Sequence, residues 1–443
     1  MNHGGINAEI RPRGRGRRFN TQGDEFRSFP TALRQAGHYT TLVSPFPQRH
    51  GAWHTVDGFD EWIDTGGNDG ERAEVVYPHA RNWLEDHADE KDWYLHVNFW
   101  DPHSPYDMPM DYGDPFEDEP APAWPDEETI REHYESYGPH SAQELHDYGD
   151  GTDHERPPDE IASREDFVQW INGYDTGIRY MDKRIGRLLD QLRDAGVYEE
   201  TLVVVSADHR KNQGECNVYG DHQIADDKTC RVPLIVSGPG VEPGVDDGLH
   251  YQIDLPPTIA DIVGGNRPER LDGESFAPAL TADEEASREF LVVSQGAWAC
   301  QRGVRWDDWL LIRSYYDGLK DFDPVELYDL AADPHETTNL ARERPEVART
   351  GLTKLEQWTS SRLLEAATDE AGGNASAPRG VTGPLWEVVR EGGPFHAKAD
   401  QQIDSYADRL RETDREAHAR KLETHRGIVP QDVEAYFDGE SVW

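Results

Sequence analysis

The chain has 443 residues, with 87 Asp and Glu against 44 Lys and Arg, a formal net charge of -43. So acidic a chain repels nucleic acid and anionic membrane surfaces, which excludes both as general partners. Three Cys, at 216, 230 and 300, make no disulfide framework, and no apolar run is long enough to span a bilayer or to form the core of a signal peptide.

Lys is scarce among the basic residues. Low Lys with excess carboxylate fits a cytoplasm of high salt, where screening removes the self-repulsion; an ordinary acidic enzyme is the alternative. The opening MNHGGINAEIRPRGRGRRF is Gly- and Arg-rich and reads as a loop that could contact an anion. A helix is predicted through FPTALRQAG (29–37), closed by Gly37, and a buried strand through YTTLVSPF (39–46). Helix YPHARNWLEDHA (77–88) and strand DWYLHVNFW (92–100) follow, the strand ending in Asp101-Pro102-His103. Helix, short turn, apolar strand and polar end is the signature of βαβ units.

Residues 107–166 are acidic, Pro-rich and poor in aliphatics, and read as a long surface excursion, either a lid or a solvated decoration. From 166 to 195 apolar residues recur at helical spacing. TLVVVS (201–206) is a short β-branched run that suits a strand buried on both faces, and it stops at Asp208 and His209. Ligands of open α/β sheets sit beyond such strand ends, and an Asp oxygen with a His nitrogen can hold a divalent cation; a polar turn capped by Asp is the plainer alternative. RVPLIVSGPG (231–240) is a further strand, and YQIDLPPTIADIVG (251–264) turns helical after its prolines. After 286 the pattern alternates, as in antiparallel strands with one wet face. From about 345 the chain is helical and charged, AGGNASAPRG (371–380) reads as a linker, and 396–425 as one long exposed helix packed on the body or on a partner subunit.

Several of these segments together resemble the sulfatases of the alkaline-phosphatase superfamily. They are FWDPHSPY, the 174–209 helix and strand, TCRVPLIVSGPG, IDLPPTIADIVG with LDGESFAPAL, and ELYDLAADPHETTNLA. The resemblance implies an α/β/α sandwich with a mostly parallel mixed sheet over residues 1–285. A smaller antiparallel sheet packed by a helix (286–345) and a helical extension (346–443) would follow. It implies hydrolysis of a small sulfate ester with a divalent metal, Ca²⁺ first and Mg²⁺, Mn²⁺ or Zn²⁺ as alternatives. A phosphate mono- or diester hydrolase of the same fold, or a non-catalytic anion-binding protein, are the rival readings.

Carried over by motif, Asp208 and His209 are metal ligands, with Arg210 standing where the family has Gly. His103 matches the His that contacts the sulfate or protonates the leaving oxygen. His222 is the nearest counterpart by spacing of a sulfate-holding Lys, whereas Lys228 is not equivalent, and Gln213 and Glu215 are structural. The family's nucleophile, in a Cys/Ser-x-Pro-x-Arg motif, has no match here: Cys216, Cys230 and Cys300 all lack the motif, and no Ser fits it. Because MNHGG resembles the segment that follows that nucleophile, the expectation is a chain that begins inside the fold, is inactive alone and is exposed along one sheet edge.

Overall fold

The computed structural model describes residues 28–49, 53–66, 71–146, 154–264, 273–282, 284–296, 298–372, 385, 399–425 and 428–439. The Gly- and Arg-rich opening, with its Asn-His-Gly segment, and most of the AGGNASAPRG linker lie outside the described residues.

Helix α1 (Phe29–Gln35) starts where the Ser28 side chain accepts from the Thr31 N–H, with Pro30 in the first turn. Strand β1 (Tyr39–Val43) follows and is the centre of a parallel sheet ordered β2 (Glu61–Ile63), β1, β3 (Trp93–Val97). Its register aligns Leu42 with Trp62 on one side and with His96 on the other. Helix α2 (Ala73–His87) lays Val76, Ala80, Trp83 and Leu84 over this sheet. There they meet Leu188 and Leu192 of α4 (Arg164–Asp194). Burying such side chains stabilises by roughly 1.5–3 kcal/mol each, so this one cluster fixes the sheet to its two helices.

The remaining α/β strands, β4 (Val203–Ser206) and β5 (Leu234–Ser237), pair antiparallel, Val204 opposite Val236. Among the described residues they do not pair with β3. A cleft of about 4400 Å³ lies between, lined by both strands and by Met181, Ile185 and Leu189 of α4. The TLVVVS run is therefore half-buried rather than buried on both faces, and Ile235 beside it is 62% exposed. The apolar pattern was legible; the neighbour that such a pattern requires is not among the described residues.

Part of the excursion is packed core rather than solvated decoration. Helix α3 (Glu127–Glu135) brings Ile130 into a cluster with Tyr106, Ala142, Leu145 and Ile161, packed on Phe167 and Trp170 of α4 and on Tyr219. Sparse apolar residues suffice because most of them are fully buried aromatics and β-branched side chains.

The C-terminal sheet is antiparallel in the order β6 (Leu291–Gln295), β7 (Cys300–Trp306), β8 (Trp309–Tyr316), β9 (Val325–Asp329). Beyond α5 (Leu255–Ile262), Val304, Trp306 and Leu311 cover one face of this sheet against Ala348 and Leu355 of α6 (Pro345–Gly372). The long exposed helix expected at 396–425 is two helices, α7 (Ala399–Glu412) and α8 (Glu416–His425). Asp414 breaks them in a left-handed conformation, φ 61°. They pack on the body, one of the two placements expected: Ile403, Tyr406, Ala407, Leu410, Ala419 and Leu422 bury a stripe against Trp298, Cys300 and Tyr316.

Candidate active site

Two strand ends build the site. Beyond β3, Asp101 accepts a short hydrogen bond from the Ala73 N–H at the start of α2. Burial pushes its carboxyl up to about 6. The following loop crosses α4 at Gly177, where an added Cβ would come within 2.9 Å of Pro102 Cβ. Glycine there lets the helix hold the His103 loop in place. The His103 ring stacks on Trp100, centroids 4.3 Å apart, and its Nδ1 lies 2.7 Å from the Ser104 carbonyl. A carbonyl only accepts, so Nδ1 carries the proton and the neutral ring presents an Nε2 lone pair. Burial, and then the charge of Lys211, lower its pKa to about 3. In this state His103 is a base and acceptor, and it becomes a donor only when an anion beside it draws in a second proton.

Beyond β4, Asp208 is exposed and His209 half-buried, with His209 Nε2 3.7 Å from Asp208 Oδ2. The His209 Nδ1 donates to the Arg210 carbonyl, 3.0 Å, leaving Nε2 as the lone-pair nitrogen that a metal takes. Arg210 has no positive φ, so this turn does not need the Gly that the resemblance expects. Its guanidinium donates to the Arg231 carbonyl. The His222 ring stacks on His209 at 3.8 Å.

Asp221 holds His222 in place. One carboxylate oxygen lies 2.7 Å from His222 Nδ1, the other 3.2 Å from His140 Nε2 and 3.1 Å from the donating Gln223 Nε2. Burial alone would raise this carboxyl, but His140, His222 and Lys211 hold it well below the usual range. Lys211 donates from Nζ to the Gly220 carbonyl (3.0 Å) and to Ser104 Oγ (3.2 Å), which ties the two strand ends together. Gly220 sits at φ 74°, where a Cβ would meet the Trp170 ring at 2.5 Å. Trp170 in turn donates to Gln213, and Gln213 to the Tyr106 hydroxyl. Glu215 accepts from the Gln213 N–H and lies 3.0 Å from His335, so both residues belong to the framework behind the site.

All four residues picked from the sequence, His103, Asp208, His209 and His222, thus line one cleft. Lys211, Asp221, His140 and Ser104 were missed. The available signal for Lys211 was a lysine, in a chain short of them, two residues beyond the Asp-His pair. Cys230 lines the cleft and Cys216 and Cys300 do not; burial pushes the thiols of Cys216 and Cys230 well up, and that of Cys300 up to about 12.

As a metal site the donor set is incomplete. Asp208 and His209 offer a carboxylate and an imidazole of suitable tautomer, but no group of three or more metal-capable side chains converges among the described residues. A hard divalent cation takes six or more ligands.

The sulfatase family model matches residues 3–265, and the C-terminal model of N-sulphoglucosamine sulphohydrolase matches 214–359. The chain belongs to the sulfatase family. It is 27% identical over 314 residues to a choline-sulfatase of Rhizobium meliloti (strain 1021), a match covering 69% of this chain and 57% of that protein. The chain therefore spans little more than half the length of this relative. Its fold is shared with a 2-O GAG sulfatase, TM-score 0.56, 18% identity, covering 80% of this chain and 77% of that one. It is shared equally with the phosphonate monoester hydrolase SpPMH of Silicibacter pomeroyi, TM-score 0.61, 21% identity, covering 82% and 83%. An α/β fold of alkaline-phosphatase type, with a parallel sheet and a smaller antiparallel one, is thereby established.

Proposed function

We propose that this site binds and serves the hydrolysis of small sulfate esters. The observation that carries the reading is the convergence of His103, His209 and His222 with Asp208 at the ends of β3 and β4, in a cleft open to solvent. His222, oriented by Asp221, donates to a sulfate oxygen. His103 moves a proton to or from the ester oxygen. Asp208 and His209 hold a divalent cation, Ca²⁺ by preference, together with ligands beyond this pair. Such an ion, when bound, balances the charge of the sulfate. No nucleophile is assigned to this sequence: Cys300 is buried, Cys216 and Cys230 are half-buried with raised thiol pKa values, and no Cys or Ser stands in the family motif. These 443 residues on their own are accordingly inactive toward sulfate esters, and binding is the property they retain. The acidic composition goes with a high-salt cytoplasm.

The relatedness of the fold to a phosphonate monoester hydrolase makes the ester class the point to test. Competitive binding of 4-nitrophenyl sulfate, 4-nitrophenyl phosphate and a phenylphosphonate monoester decides it. The sulfate ester is expected to bind most tightly, with affinity lost in His222→Ala. Preference for either phosphorus ester overturns the sulfate reading.

A further inference from the structure

Lys211 is half-buried in the wall of the cleft. In a chain with 87 carboxylates, no carboxylate among the described residues lies within 4.0 Å of its Nζ. Two of its three donors go to neutral acceptors, Ser104 Oγ and the Gly220 carbonyl. The Asp221 and Asp208 charges act on it from beyond that distance, and its third donor has no protein acceptor among the described residues. Lys320, which is buried, does not line the cleft, whereas Lys211 lines it beside His103, His209 and His222.

We infer that Lys211 is the principal anion-holding residue of the site, its third donor and its charge being completed by an oxygen of a tetrahedral dianion such as a sulfate group. This deepens the proposed function and rests on it. It reassigns the charge from His222 to a side chain that enters from the end of β4. The Ser104 and Gly220 contacts fix the stem, so the ammonium is preorganised and the anion need not order it. His222 then adds a hydrogen bond from Nε2 only as the imidazolium, because its Nδ1 faces Asp221, and Asp221 acts as a positioning residue set back from the anion.

The test is equilibrium binding of inorganic sulfate to the full 443-residue chain, with ionic strength held constant by chloride so that general salting effects cancel. The wild type is expected to bind saturably. Lys211→Met and Lys211→Gln lose at least tenfold in affinity, Lys211→Arg stays within a few fold, and the control Lys228→Gln is unchanged. Melting curves without sulfate check that each variant is folded. Should Lys211→Met fail to fold, the Gln and Arg pair carries the comparison. Unchanged affinity in Lys211→Gln, or no saturable binding by the wild type, overturns the inference. The proposed function fails separately: if phosphorus esters are preferred while sulfate binding still depends on Lys211, only the ester class is wrong.

Discussion

Replacing Asp221 by Asn keeps the shape of the side chain and removes its charge. The carboxylate is 7% exposed and faces two imidazoles at 2.7 and 3.2 Å, with the His222 N–H 2.7 Å away as a further donor. Hydrogen bonds to a charged group contribute roughly 1.5–3 kcal/mol each, and removing one partner of a buried charged set costs about 3–5 kcal/mol. The amide can still accept on one oxygen, so the expected loss lies at the lower end, about 3 kcal/mol. Urea denaturation at pH 7 reads it as a lower midpoint with an unchanged slope. Because the folded carboxyl titrates below its ordinary value, the stability it brings is fully present above that value and disappears as pH falls through the folded one. The gap between wild type and variant must therefore narrow in acid. A loss under about 1 kcal/mol at pH 7, or a gap that widens in acid, would refute the claim that Asp221 is the charged anchor of the His140–His222 loop.

Glu326 is buried, accepts from the Tyr328 hydroxyl at 3.1 Å, and is pushed up to about 8 by burial and then by Asp323. Its stability contribution is complete below the ordinary Glu value and is lost as pH rises through about 8, so Glu326→Gln should flatten the melting-temperature profile and gain roughly 2–4 kcal/mol at pH 9. Parallel profiles from pH 5 to 9 would count against it. Gly177→Ala forces a methyl group against Pro102, with an overpacking cost of about 1–3 kcal/mol and a displaced His103 loop. Both a lower urea midpoint and weaker binding of 4-nitrophenyl sulfate are expected, and a variant with neither effect shows that the helix does not position His103. With 87 acidic and 44 basic residues, the wild type should gain stability as KCl rises from about 0.1 to 1 M, over which the screening length falls from about 10 to 3 Å. A urea midpoint independent of KCl contradicts the high-salt reading.

Strands and helices with one uninterrupted apolar signal were legible in the sequence: β1, β3, β4 and the long α4 all stand within a few residues of the expected places. What was not legible depended on distant partners. The excursion's apolar residues become a core only against Phe167 and Trp170. The stripe on α7 and α8 gains its meaning from Trp298 and Tyr316 more than 80 residues earlier. At the site, strand-end chemistry drew attention to Asp208 and His209, and motif resemblance to His103 and His222. The contact between Lys211 and Ser104 joins residues 107 positions apart, and that between His140 and Asp221 joins the excursion to the site loop. Neither leaves a periodicity or a spacing to read.

The most direct measurement follows bound ester and released 4-nitrophenol together when the 443-residue chain is mixed with 4-nitrophenyl sulfate and Ca²⁺. The account predicts saturable binding that weakens in His222→Ala, with no nitrophenol released above the level of that variant. Failure of the ester to bind would contradict the site, and Ca²⁺-dependent release of nitrophenol would contradict the absence of a nucleophile from these residues.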